Sequence, residues 1–189
     1  MFPPQIVFAY HGCDESVARM VLDGGQLKPS LNDYDWLGHG IYFWEGSPLR
    51  AMRWAAEAAR RKNSHIRVPA ALGAIVDLGN SLNLVESESA AMVAAAHAVY
   101  LERCEAGGVP PLKNKGAHSK ARYLDCAVMN TLHQMLEASG LPAFDTVRGF
   151  FIEGQPVYPT AGLRSLDHVQ ICVRNSRRIM GFFRPNLTR

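Results

Sequence analysis

No stretch of this 189-residue chain approaches the roughly 18 consecutive apolar residues that cross a bilayer, so no helical membrane anchor is expected. Met1-Phe2-Pro3-Pro4 has neither the basic start nor the apolar core of a secretory signal, and the expected location is the cytoplasm. The four cysteines, Cys13, Cys104, Cys126 and Cys172, have no C-x-x-C spacing. Neither a zinc site nor a disulfide framework is indicated, and reduced, buried thiols are expected instead. No G-x-G-x-x-G stands at a strand-to-helix junction. Gly38-His39-Gly40 leads into a strand, which removes a Rossmann dinucleotide site. Internal repeats and low-complexity segments are also missing.

What remains is 48% apolar and 20% charged, which suits one well-filled domain over residues 1–189. The net charge of +3 is mild but unevenly spread. Arg50, Arg53, Arg60, Arg61, Lys62 and Arg67 crowd one segment, and Arg174, Arg177, Arg178, Arg184 and Arg189 crowd the C-terminus. Such clusters are solvated faces or a footprint for an anionic partner.

In chain order, Gln5 to Tyr10 is a β-rich run, and Asp14 or Ser16 then caps a helix through Val17, Met20 and Val21. Gly24-Gly25 stops it, and a polar, turn-rich segment leads to Gly38-His39-Gly40 and the aromatic strand Ile41-Tyr42-Phe43-Trp44. Period-2 alternation puts Tyr42 and Trp44 on one sheet face. Ser47-Pro48 starts a helix towards Lys62, its Arg-rich flank facing water. Ala70 to Leu78 is a buried strand. Two helices follow, from Glu86 to Glu105 and from about Ser119 to Ser139, joined by a basic, Gly/Pro-rich loop. They form an insertion at about residues 83–140, beside the sheet and suited to a substrate lid. Phe144 to Glu153, Val169 to Val173 and Ile179 to Phe183 close the chain as strands. This order reads as α+β with a mostly antiparallel or mixed sheet and flanking helices.

Two blocks carry a resemblance. Tyr10-His11-Gly12 ends the first strand, and Gly38-His39-Gly40-Ile41-Tyr42-Phe43 opens the second. In this order and spacing they resemble the ADP-ribosyltransferase superfamily, in its diphtheria-toxin and poly-ADP-ribose-polymerase branch. The helix from Ser47, the strand to Gly79 and Asp145-Thr146-Val147-Arg148-Gly149 fall in the expected order. The resemblance implies a split mixed or antiparallel sheet and NAD as substrate. It implies that His11 hydrogen-bonds the adenosine-side ribose, that the Gly12 backbone grips the nicotinamide carboxamide beside Gly40, and that Tyr42 stacks on the nicotinamide ring. A histidine capping a strand end and a tyrosine packed in the core are the plain readings beside these.

The third position departs from the family pattern. Asp167-His168-Val169-Gln170-Ile171-Cys172-Val173 puts Gln170 where the family has its catalytic glutamate. A glutamine can hydrogen-bond the ribose 2′-hydroxyl but brings no negative charge and cannot act as a base. His168, on the same strand face, and Glu153 are candidates for the missing role. The function implied is NAD-dependent mono-ADP-ribosyl transfer to a protein or nucleic-acid acceptor, as in an intracellular toxin or phage-defence effector with a neutralising antitoxin. The same Gln170 also suits a non-catalytic module that binds NAD or ADP-ribose. An RNA 2′-phosphotransferase-like reading lacks its His-Arg constellation.

Overall fold

A computed structural model describes residues 5–116 and 121–187. Among these residues, seven strands form one sheet in the order β4-β5-β6-β2-β1-β3-β7. They are β1 (Ile6–Asp14), β2 (Ile41–Glu45), β3 (Pro69–Asp77), β4 (Ser81–Asn83), β5 (Thr146–Phe151), β6 (His168–Val173) and β7 (Ile179–Phe183). Every neighbouring pair is antiparallel except β4 with β5. Four helices among the described residues pack on it: α1 (Glu15–Leu22), α2 (Pro48–Ala59), α3 (Ser87–Ala106) and α4 (Tyr123–Ala138). The architecture is α+β with a mixed sheet.

Local chemistry accounts for most boundaries. Asp14 caps α1, its Oδ1 accepting from the Ser16 N–H at 3.0 Å, while Oδ2 accepts from the Arg67 and Val68 N–H groups at 2.7 and 2.9 Å. One carboxylate thus starts a helix and ties it to the entry of β3. Pro48 opens α2, where its missing N–H costs no intrahelical bond.

Several elements differ from those expected, among them β5, which spans Thr146–Phe151 and not Phe144 to Glu153. β1 does not stop at Tyr10 but runs through His11-Gly12 to Asp14, because β3 pairs with it along nine residues from Ile6–Asp77 to Asp14–Pro69. The three-residue β4 is too short to show a period and exists because β5 offers it a parallel edge. α4 begins at Tyr123, and Ser119 lies outside the described residues.

The helices divide between the two faces. α1 covers Ala9, Cys13, Ile41, Phe43, Leu72, Ala74, Ile171 and Val173. On the opposite face, α2 lies over Ala71 and Trp44, and α4 lays Val128, Met129 and Leu132 against Val147 and Cys172. The helical pair expected beside the sheet therefore forms a second core upon it. α4 needs this, because its stripe of Cys126, Met129, Leu132 and Leu136 must be covered. α3 turns Ser89 and Ala96 inward, leaving Leu101 exposed rather than in line with Val93 and His97. All four cysteines are free thiols, and Cys13, Cys126 and Cys172 are buried. No helix among the described residues is long and apolar enough to cross a membrane.

Candidate functional site

The ladder between β1 and β2 is only two pairs long, Ala9 with Glu45 and Tyr10 with Trp44. Its hydrogen-bonding side can be read from flanking bonds: the Gly46 N–H donates to the Phe8 carbonyl at 2.9 Å, towards β2, and the Glu15 N–H donates to the Val68 carbonyl at 2.8 Å, towards β3. Successive residues of a strand alternate sides, so the N–H and C=O of Gly12, like those of Phe8, face β2. Gly12 and Tyr42 would be the next bonded pair, but the ladder has ended. The His11 imidazole spans the opening, its Nδ1 donating to the Tyr42 carbonyl at 2.8 Å. A carbonyl only accepts, so this proton sits on Nδ1 and Nε2 keeps its lone pair. Burial lowers the His11 pKa below its ordinary value, outweighing the Tyr42 carbonyl, and the ring is neutral at pH 7.

Gly12 also lies directly under α2. A Cβ there would stand 2.4 Å from the Ala51 carbonyl oxygen and 3.0 Å from Trp54 Cε3. Glycine is required for this close approach, whatever its backbone binds. Gly40 is different: its N–H donates to the Ser30 carbonyl at 3.1 Å and its C=O accepts from the Ser30 N–H at 2.8 Å. Both of its backbone groups are occupied.

Tyr42 points to the α4 face, half-buried, whereas the His11 ring lies on the α1 face beside Phe43. The Tyr42 hydroxyl donates to the Gly38 carbonyl at 2.7 Å and accepts from the Leu37 N–H at 3.0 Å. Burial and the neighbouring Cys172 and Asp35 push its pKa far up, so it stays a phenol. The hydroxyl holds the Gly38 turn, whose φ of +79° suits glycine. Arg174 Nη1 donates to the His39 carbonyl at 3.0 Å, and the His39 N–H donates to Asn130 Oδ1 at 3.3 Å. Helix α4 thus braces the turn before β2.

Register places Gln170 opposite both Trp44 and Gly149, on the same face as Tyr42. Its Oε1 accepts from Trp36 Nε1 at 3.2 Å, and an indole N–H only donates, which fixes the amide orientation. The NH₂ has no partner among the described residues. Trp36 also walls a cavity of about 400 Å³ against Val93, His97, Val128 and Met129.

His168 and Glu153 meet at the far end of this face, around an arginine that the sequence placed in solvent. The Arg50 side chain is largely covered, 9% exposed. Its Nη2 donates to Glu153 Oε2 at 2.8 Å, and its guanidinium lies 5.6 Å from the Trp44 ring centroid. Glu153 Oε2 is 3.9 Å from His168 Nδ1, which donates instead to the Leu166 carbonyl at 2.6 Å. The His168 ring stacks on Phe151 at 5.0 Å and is buried. Burial lowers its pKa, with Arg50 adding to the shift while the Leu166 carbonyl and Glu153 oppose it. Arg50 Nε and Nη1, Trp44 Nε1 and His168 Nε2 are all buried without a hydrogen-bond partner among the described residues. Leaving such groups unmade is costly, and they gather at sites that bind or react.

The structure therefore brings Gly12, Tyr42, Gln170, His168 and Glu153 to one sheet face and sets His11 at the opening, reached from the other. Arg50, Trp36 and Trp54 were missed as site residues. The available signal was the small-residue stripe Ala51, Ala55 and Ala58, the buried face of α2, which Arg50 and Trp54 flank.

No protein-family model and no solved structure matches the chain. Among curated proteins it is similar to the uncharacterized protein MJ0359 of Methanocaldococcus jannaschii, with 35% identity over 54 residues. That stretch is 29% of this chain and 25% of the relative, so the likeness spans about a quarter of the relative's length.

Proposed function

We propose that the chain is an NAD-dependent mono-ADP-ribosyltransferase, with the nicotinamide end of NAD seated at the opening between β1 and β2. The observation that carries this reading is Gly12, whose N–H and C=O face the opening with no ladder partner. A primary carboxamide offers one acceptor and one donor side by side, the complement of that pair. Tyr42 and Gln170, two neighbouring positions on the same face, would meet the ring and the attached ribose. Cleaving the glycosidic bond builds positive charge on the ribose, and constraint with hydrogen bonding to its hydroxyls lowers the barrier. The Gln170 NH₂ can donate there but cannot neutralise charge. Glu153, paired to Arg50, supplies the nearby carboxylate, and neutral His168 has a lone pair for a proton from a protein or nucleic-acid acceptor. An intracellular toxin or phage-defence role, held in check by an antitoxin, suits this activity.

A second reading, a module that binds NAD without turning it over, is favoured by one observation: Gln170 is held by Trp36, with no carboxylate in its place. Nicotinamide release from NAD decides between them, measured with cell lysate that is untreated, nuclease-treated or protease-treated. Release by the wild type, lost in Gln170→Ala and raised at least tenfold in Gln170→Glu, is the expected result. NAD binding without release in the wild type, with release gained by Gln170→Glu, selects the binding module. Absence of NAD binding refutes both.

A further inference from the structure

Folding commits several arginines of the two basic clusters and leaves others free. Arg50 pairs with Glu153, Arg174 serves the His39 carbonyl, and Arg178 pairs with both Asp77 and Asp145 at 2.9 and 2.6 Å. Arg184 pairs with Glu15 at 3.0 Å, and Arg148 with Glu45 at 2.6 Å. One group is left over. Arg53, Arg60, Arg61, Lys62 and Arg67 are exposed and have no carboxylate within 4.0 Å among the described residues. Glu57 is the one acidic residue between Gly46 and Val68. Unbalanced positive charge is thus concentrated along α2 and the loop that follows it.

We propose that this edge of α2 is a docking surface for single-stranded nucleic acid. Four of the five cations are arginines, whose planar forks match phosphate oxygens and whose faces stack on bases. An aromatic lies among them: the Arg61 guanidinium sits 5.9 Å from the Trp54 ring centroid. Cations that follow a backbone beside a stacking platform are the combination by which proteins hold unpaired strands. Arg53 and Arg60 are two helical turns apart, roughly 10 Å, a distance that one flexible strand bridges with successive phosphates. Trp54 also connects the surface to the candidate site, since its ring reaches Gly12 beneath α2 and tilts against Trp44 at 5.6 Å. A strand lying on α2 is held beside the opening between β1 and β2.

The surface is tested without NAD, so the outcome is independent of the proposed reaction. Fluorescein-labelled 20-nucleotide single-stranded DNA and RNA are titrated with full-length protein by anisotropy between 50 and 200 mM NaCl. Four phosphate contacts give a log-log salt slope of about −3 and a loss of affinity of about fifty-fold across that range. R60A/R61A/K62A removes three exposed side chains that have no acidic partner, so an unchanged melting temperature confirms its fold. It should bind at least tenfold more weakly at 50 mM NaCl, with a slope shallower by about 2. K113A/K115A, which removes the exposed Lys113 and Lys115 of the basic loop between α3 and α4, should stay within twofold of wild type. The proposal is overturned by absent or salt-insensitive binding, by wild-type affinity in the triple variant, or by loss in K113A/K115A. It is equally overturned if duplex DNA of the same length, a 20-residue polyglutamate or phosphatidylserine vesicles bind as tightly as the single strands.

Discussion

His133 should make the protein measurably weaker in mild acid. It lies in α4, buried, edge-on to Phe144 at 6.1 Å, with neither ring nitrogen hydrogen-bonded among the described residues. Burial, helped by the positive charge of Arg174, lowers its pKa to about 3, against about 6.5 for an exposed histidine. Between these values the unfolded chain binds a proton that the folded chain refuses, so the stability is whole above pH 6.5 and falls as pH falls. The difference integrates to about 2 kcal/mol lost at pH 5 and about 3 kcal/mol at pH 4. Urea unfolding of wild type and His133→Leu from pH 8 to pH 4 reads it directly. Leucine fills a similar volume and removes an unsatisfied N–H, so the variant should match or exceed the wild type at pH 7 and lead it by about 2 kcal/mol at pH 5. Burial also lowers the pKa of His11 and His168, and the comparison cancels their shared contribution. Parallel stability curves, or a His133 proton resonance titrating near pH 6.5, would refute the reasoning.

Two further substitutions probe the candidate site. Gly12→Ala puts a Cβ 2.4 Å from the Ala51 carbonyl, a backbone atom that moves only with α2. It should cost about 1–3 kcal/mol and lower the melting temperature by roughly 3–10 °C by calorimetry, and a wild-type melting curve would contradict the packing. Arg50→Met removes the positive charge that helps hold the His168 pKa down, so His168 should titrate at higher pH by NMR. Stability should change by less than about 1 kcal/mol, because half-exposed Glu153 rehydrates and two idle nitrogens leave the core. A His168 pKa that stays or falls would show that Arg50 does not act on it.

Much of the framework was legible locally. The Asp14 cap, Pro48 at the head of α2, the run of β3 and the limits of β7 follow from residue types within a few positions. The candidate residues were less so. Tyr42 and Trp44 share a face by alternation, but that Tyr42 spends its hydroxyl on the Gly38 turn depends on how that turn folds back over β2. Arg50 read as part of a solvated flank, since helical period cannot tell a residue at the border of the buried stripe from one facing water. β4 carried no periodic signal in three residues.

By itself the sequence determined the helices, the longer strands and the presence of two Gly-marked strand ends, because propensity, capping and apolar period act over neighbouring residues. Tertiary structure alone decided that β1 and β2 part after two pairs, freeing the Gly12 backbone, because β3 claims the whole opposite edge of β1 while β6 claims β2. It alone decided which arginines remain uncommitted. The carboxylates that commit the others lie far away in the chain, 103 residues for Arg50 and Glu153 and 169 for Arg184 and Glu15, and are chosen only when the sheet and helices bring them together.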